Sequence, residues 1–572
     1  MPLQLSKVLL RFNDREVELP LGKMSSFEEL YVDFTIEQVA GGEQCRLTIH
    51  PKQDIVLQGL ELYYPYTYQS TDRLFANGFQ SWSESREYGS EERIPTLRGF
   101  TRSRYQYFGD THLPGIRRGR GHLHSWTYSY IRRDRQFDFI GSLSEQTGFT
   151  LLHHDTQAGQ LCLSKECAGL QLSHSFPLLN CWSGSGSEAE VFDRYFEAMG
   201  CPPPKAAPMT GWTSWYNYYT DISEEIILNN LAAFEEKEVP ADIIQIDDGY
   251  QQEVGDWLKI KSSFPNGMGA VAKKIKAAGY KAGIWIAPFV CSEHSQIFKE
   301  KKSWLLKDRN GKPVKVGHIP VWKGWFYALD FYNPAVQEYL TGVLFTFLNK
   351  WGYDLLKLDF LYAVCILPRP HKTRGQIMHE AMQFLRERIG DKLTLGCGVP
   401  LGSAFGQVDY CRIGTDIHLE WEQRWLRFLN HRERVSTSSA LQSVIGRRQL
   451  NGRAFINDPD VFILRRQNNQ LSEHQQFTIL LINCLLGDLL FTSDYLAAYQ
   501  AEQWSELMSI FKWRKRTLKH IQTFGKNGWA IHFSHQNKHY IAACNLDKQA
   551  ANFQQAQKTI SLEPYESMVL LA

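Results

Sequence analysis

Eight short apolar runs, each followed by a stretch of helical period, fill the middle of this 572-residue chain and constrain its fold more than any other feature. They are Gly211-Trp-Thr-Ser-Trp215 and the runs 243–247, 282–289, 355–360, 393–397, 410–416, 454–457 and 489–492. The clearest intervening helix starts at Asn333 as N-cap with Pro334 in the first turn. Its apolar positions Val336, Tyr339, Leu340, Val343, Leu344, Phe347 and Leu348 keep the i, i+3, i+4, i+7 spacing. Another carries Val271 and Ile275 and stops at Gly279, a left-handed cap. Eight strand–helix repeats in about 285 residues predict a (β/α)8 barrel. A doubly wound open sheet is the alternative, but no glycine-rich phosphate loop follows the first run.

A chain of this length exceeds what one hydrophobic core serves, so further domains are expected. Residues 1–195 alternate apolar and polar side chains between closely spaced turns, as in Cys45-Arg-Leu-Thr-Ile-His50, Phe137-Asp-Phe-Ile-Gly141 and Leu161-Cys-Leu-Ser164. That pattern predicts an N-terminal β-sandwich, closed by a connecting helix over 187–196. The stretch 196–208 is a linker, stiffened by Cys201-Pro-Pro-Pro-Lys-Ala-Ala-Pro208, because proline neither joins a sheet interior nor continues a helix. The barrel is placed at 209–505. A small C-terminal β-sandwich with a leading helix follows at 506–572, carried by strands such as Trp529-Ala-Ile-His-Phe533 and Met568-Val-Leu-Leu571.

The formal net charge is +2 and charged residues make up 22%, which excludes the basic surplus of a nucleic-acid binder. The one basic stretch, Lys512-Trp-Arg-Lys-Arg-Thr-Leu-Lys519, reads as the solvated face of the leading helix. Aromatics reach 13%, with 16 Trp; they serve large cores, and flat sugar faces also stack on them. Eleven cysteines show neither a disulfide framework nor a C-x-x-C metal pair. No signal-peptide pattern opens the sequence, and the most apolar segment, 479–487, is shorter than the roughly 20 residues of a membrane span. A reduced, cytoplasmic enzyme follows, without membrane or nucleic-acid partners and acting as a monomer or small homo-oligomer.

Barrel active sites lie at the C-terminal ends of the strands, so polar residues there are the candidates. They are Trp215 and Tyr216, Asp247 and Asp248, Trp285, Lys357 and Asp359, Cys397, Arg412 and Asp416, then Asn457, Asp458 and Asp460. Strand parity points Lys357 and Asp359 the same way from their strand, and likewise Arg412, Gly414 and Asp416 from theirs. A buried lysine lowers a neighbouring carboxylate's pKa, which suits a nucleophile; an acid/base must instead hold a proton near neutrality. Asp359 is therefore assigned as nucleophile and Asp416 as acid/base, with Lys357 and Arg412 as substrate or charge partners. Such a pair suggests glycosidic cleavage, with retention if the carboxyls stand about 5–5.5 Å apart. Asp458 and Asp460, flanking Pro459, read better as an Asx-turn or helix cap. For Asp247 and Asp248, capping and sugar binding both stay open. Cys397 reads by composition as a small core hydrophobe. No histidine pair has ligand spacing, and no G-x-S-x-G is present, so no metal or other cofactor is expected.

The order of Gly211-Trp-Thr-Ser-Trp-Tyr216, Asp247-Asp-Gly-Tyr250, Gly283-Ile-Trp-Ile-Ala-Pro288, Leu356-Lys-Leu-Asp-Phe360, Gly396-Cys-Gly398 and Arg412-Ile-Gly-Thr-Asp416 resembles the α-galactosidases (melibiases) of glycoside hydrolase family 36. Asn457-Asp-Pro-Asp460 is similar to a motif of the wider clan D. The resemblance implies a sandwich–barrel–sandwich layout and a retaining, metal-independent, exo-acting hydrolase of terminal α-linked galactose, with short oligosaccharides of melibiose or raffinose type as substrates. It implies Asp359 as nucleophile and Asp416 as acid/base, with Asp247 and Asp248 on the galactose 4- and 6-hydroxyls. Lys357, Cys397 and Arg412 would border the 2- and 3-hydroxyls, and Trp285, Trp215 and Tyr216 would wall the sugar. Asn77-Gly-Phe-Gln-Ser-Trp82-Ser resembles a loop sent over the pocket, which places Trp82 there. Cys397-Gly-Val-Pro-Leu-Gly402 replaces the Cys-x-x-Gly-Gly-Gly of larger members, as in a smaller bacterial branch, and leaves the 2-position open between hydroxyl and N-acetyl. An α-galactosyl transferase of raffinose- or stachyose-synthase type, an α-N-acetylgalactosaminidase and an inactive sugar-binding protein are the alternatives.

Overall fold

The computed structural model describes residues 3–109, 116–555 and 558–572. Two antiparallel sheets, of seven and eight strands, make up the N-terminal part. Val8, Leu10, Leu60 and Leu62 of one sheet share a core with Val32, Phe34, Leu47 and Ile49 of the other, so the sheets pack face to face. The larger sheet is apolar on its second face too. There Tyr128, Tyr130, Phe139 and Trp182 meet Val191, Phe192, Tyr195 and Phe196 of the helix Glu188–Met199. Ser187 and Glu190 close a capping box on that helix, which satisfies N–H groups that its first turn leaves unpaired.

The central sheet is parallel and runs in chain order. Its strands are β1 (Met209–Thr213), β2 (Ile243–Ile246), β3 (Lys281–Ile286), β4 (Leu355–Leu358), β5 (Leu393–Gly396), β6 (Tyr410–Arg412), β7 in two pieces (Ile456–Asp458 and Val461–Phe462) and β8 (Leu489–Thr492). The first piece of β7 pairs with β6, the second with β8, and β8 with β1. The sheet therefore returns on itself through one strand broken at Pro459 and Asp460. Proline has no N–H for the ladder, and Asp460 turns the chain with φ +76°. Each of the eight predicted runs carries one of these strands. The predicted helix after Asn333 spans Pro334–Phe345, with the Asn333 side chain accepting from the Ala335 amide at 3.0 Å.

Two features depart from expectation. The stretch between β3 and β4 holds an antiparallel three-stranded sheet (Val290–Ser292, Lys315–Ile319 and Gly324–Ala328) that the apolar pattern does not announce. The basic stretch 512–519 is no helix face either. It passes from a 3-10 turn, Ile510–Trp513, into the strand Thr517–Phe524. Arg514 pairs with Asp242 at 3.0 Å and Arg516 with Asp488 at 2.5 Å, residues just before β2 and β8. These arginines dock the C-terminal strands on the barrel end opposite the strands' C-termini. The C-terminal part is a four-stranded antiparallel sheet with a two-stranded hairpin, and Ala530, Ile541, Phe553 and Leu562 form its core.

Candidate active site

A cavity of about 420 Å3 opens at the C-terminal ends of the barrel strands. Trp82, Trp215, Tyr216, Asp247, Asp248, Trp285, Lys357, Asp359 and Asp416 all line it. Cys397 and Arg412 stand behind its wall.

Asp359 follows β4 directly. Its Oδ2 accepts from Trp285 Nε1 at 2.9 Å, and its Oδ1 from the Phe360 amide at 2.8 Å. Phe360 sits in the left-handed region (φ +52°), a conformation costing a bulky residue about 1–3 kcal/mol. Burial pushes the Asp359 carboxyl above its ordinary range; the field of Lys357 and the two donors pull it back only in part.

Here the reading from strand parity is corrected. Lys357 does not pair with Asp359. Its Nζ donates to Asp247 Oδ2 at 2.7 Å, and both side chains are buried. Burial alone would lower the ammonium's pKa, but Asp247 outweighs it and holds Lys357 charged. Parity fixes the face a side chain takes, not the partner it meets across the barrel.

Asp247 and Asp248 follow β2. Asp247 also accepts from Gln245 Nε2 at 3.2 Å and from the Asp248 amide at 2.9 Å. Asp248 accepts from Gln251 Nε2 and from Trp322 Nε1, each at 2.6 Å. Burial pushes Asp248 up to about 6. Gly249, at φ +119°, lets the chain turn away beneath Thr220, whose backbone stands 2.7 Å from where a Cβ would lie. Neither aspartate caps a helix, and both face the cavity.

Asp416 keeps a third of its side chain exposed, and its Oδ1 meets Arg412 Nη1 at 2.8 Å. Arg412 also reaches Asp458 Oδ2 through Nε at 3.1 Å and Asp460 Oδ1 through Nη2 at 2.9 Å. With its nitrogens committed to three carboxylates, Arg412 does not border the cavity. The Asx-turn expected at Asp458 is present, since its Oδ1 accepts from the Asp460 amide at 2.9 Å. Cys397 is buried, and its Sγ accepts from Trp82 Nε1 at 3.1 Å. Gly398 beside it takes φ +56°, and a Cβ there would come within 3.0 Å of the Trp82 ring.

Trp82 comes from the N-terminal part, so one wall of the cavity is built by another domain. Arg447 ties the two together. It is fully buried, and its guanidinium donates to Asn77 Oδ1 (2.9 Å), to the Ser81 carbonyl (2.7 Å) and to the Ile413 carbonyl beyond β6 (2.9 Å). With no carboxylate partner among the described residues, it is pushed down by burial to about 10. Arg447→Met would orphan these acceptors at roughly 1–3 kcal/mol each. A melting temperature lowered by several degrees and a raised KM are expected, checked by calorimetry and steady-state kinetics.

Several lining residues escaped the sequence reading. Trp322, on the insertion between β3 and β4, is the chief one; Tyr105, Phe108, His318, His431 and Glu433 join it at the lip. An aromatic in a βα insertion was the available signal for Trp322, since all such loops open on one face of a barrel. Nothing local marks Tyr105 or Phe108.

Residues 202–439 match the family model described as the glycosyl hydrolases family 31 TIM-barrel domain. The structure is similar to TtGalA, an alpha-galactosidase from Thermus thermophilus solved with p-nitrophenyl alpha-D-galactopyranoside. That match has a TM-score of 0.71 and 25% identity over 92% of this chain and 98% of that one. Alpha-galactosidase AgaA of Geobacillus stearothermophilus is 28% identical over 191 residues, 32% of this chain and 25% of that protein. The crystal structure of AgaA, described as a GH36 alpha-galactosidase, shares the fold at a TM-score of 0.60 and 12% identity, covering 97% of this chain and 80% of that one. The chain spans about a quarter or less of the length of the first curated relatives it matches in sequence. With Asp247, Asp248, Asp359 and Asp416 opening into one cavity at its strand ends, the chain carries a TIM barrel of the glycoside hydrolase kind.

Proposed function

We propose that the protein is a retaining, exo-acting α-galactosidase of the family 36 type, removing terminal α-linked galactose from short oligosaccharides of the melibiose or raffinose kind. The observation that carries this reading is that Asp359 and Asp416 face the cavity that also holds the buried pair Asp247 and Asp248. TtGalA, solved with p-nitrophenyl α-galactoside and with stachyose, supports galactose as the sugar.

In the first step Asp359 attacks the anomeric carbon while Asp416 protonates the leaving oxygen, and a galactosyl-enzyme forms. In the second, Asp416 deprotonates water, which displaces Asp359 and leaves galactose in its α configuration. Asp247 and Asp248 accept from sugar hydroxyls, and Lys357 keeps Asp247 compensated meanwhile. Trp285 holds the nucleophile through its indole N–H, and Trp82 and Trp322 offer apolar faces to the ring.

A panel of p-nitrophenyl α- and β-glycosides tests sugar and anomer together. Turnover of the α-galactoside well above the α-glucoside and β-galactoside is expected; preference for any other glycoside overturns the reading. Asp248 accepts from sugar hydroxyls most strongly when ionised. As pH falls through about 6 it gains a proton, so kcat/KM should decline on that limb. A profile flat down to pH 4.5 would remove Asp248 from the binding set.

We also propose a cytoplasmic location for the protein.

A further inference from the structure

We infer that Asp460 is a positioning residue for the acid/base carboxylate: it holds Asp416 from two sides, through Arg412 and through the backbone that follows Asp416. The inference rests on the proposed role of Asp416. Asp460 itself is buried and does not line the cavity.

Each of its oxygens has a task. Oδ1 pairs with Arg412 Nη2 at 2.9 Å, and Arg412 Nη1 in turn holds Asp416 Oδ1 at 2.8 Å. Oδ2 accepts from the Ile417 amide at 2.8 Å, one residue beyond Asp416, and from the Tyr216 hydroxyl at 2.5 Å. Asp460 thus binds the peptide after Asp416 directly, and reaches the Asp416 side chain only through its ion pair with Arg412. Asp460 reaches both because the chain turns at Pro459 with Asp460 in the left-handed region, between the halves of β7.

The charges explain why such a device is needed. An acid/base beside one arginine would be held as the carboxylate, because a buried guanidinium needs a counter-ion. Arg412 has two more, Asp458 and Asp460. Together they share its charge, so Asp416 is not the sole counter-ion of Arg412. Once Asp416 has given up its proton, the third contact is waiting for the new carboxylate. The groups facing Asp460 are Arg412, Asp416, Asp458 and Tyr216, and burial among them pushes Asp460 up to about 7. Its neighbour Asp458 lacks the second grip, since its Oδ1 is spent on the Asp460 amide.

The test compares two galactosides that differ in their need for an acid. 2,4-Dinitrophenolate leaves without a proton, whereas the sugar hydroxyl of melibiose does not. In Asp460→Asn, kcat/KM for melibiose is expected to fall at least 30-fold while that for 2,4-dinitrophenyl α-galactoside falls less than 3-fold. The alkaline limb of the melibiose profile should move to lower pH, since Arg412 then leans on Asp416. Tyr216→Phe removes one hydroxyl and should show the same split more weakly; it serves if the asparagine variant does not fold. Equal losses on both substrates, or no loss on either, overturn the positioning role. A wild-type protein that hydrolyses neither galactoside instead overturns the proposed function.

Discussion

Asp359→Ala should lose at least about 10^4-fold in kcat while keeping its fold, because the variant lacks the carboxylate proposed to take the galactosyl group. The expectation extends to a rescue. In the proposed mechanism, truncating Asp359 leaves room for a small anion on the side from which the anomeric carbon is attacked. Azide should therefore restore turnover on an activated galactoside and yield β-galactosyl azide, since one displacement inverts the centre. Product anomer is read by proton NMR. An α-azide, or full activity without azide, would move the nucleophile elsewhere. Trp285 Nε1, freed from Asp359 Oδ2, can donate to the incoming anion.

The second large effect is expected at Lys357. Lys357→Met removes the ammonium that pairs with Asp247 at 2.7 Å inside the barrel and leaves a buried carboxylate uncompensated. Breaking such a pair costs about 3–5 kcal/mol, more than the pair itself contributes relative to an apolar substitute. A marked fall in melting temperature at pH 7 is expected, together with a loss of galactoside binding. The double variant Lys357→Met/Asp247→Asn should recover part of the lost stability and none of the activity. Equal melting temperatures for single and double variants would mean that the ion pair does not govern the site's stability.

Much of the site could be read from strand ends alone. Asp247, Asp248, Trp285, Lys357 and Asp359 each sit within two residues of the end of β2, β3 or β4, Asp416 closes the run that holds β6, and all six line one cavity. The reason is geometric: a parallel barrel aims every strand's C-terminus at the same face. Trp322 was overlooked because its sheet lies in an insertion with no apolar run of its own. Of the two roles expected for Arg412, substrate or charge partner, the ion pairs fit the second, and two of its partners are Asp458 and Asp460, which sequence alone presents as turn residues. Asp458 is indeed one, and that local role conceals its ion pair with Arg412.

The sequence by itself determined the barrel and its acidic rim, because side-chain periods of two and 3.6 decide strand and helix locally, and strand order follows chain order. Only the tertiary structure decided who pairs with whom. Lys357 reaches Asp247 rather than the carboxylate two residues away, and Arg412 gathers three aspartates from two strands. Charge pairing depends on distances across the barrel and on the burial of each group, and no spacing along the chain encodes either.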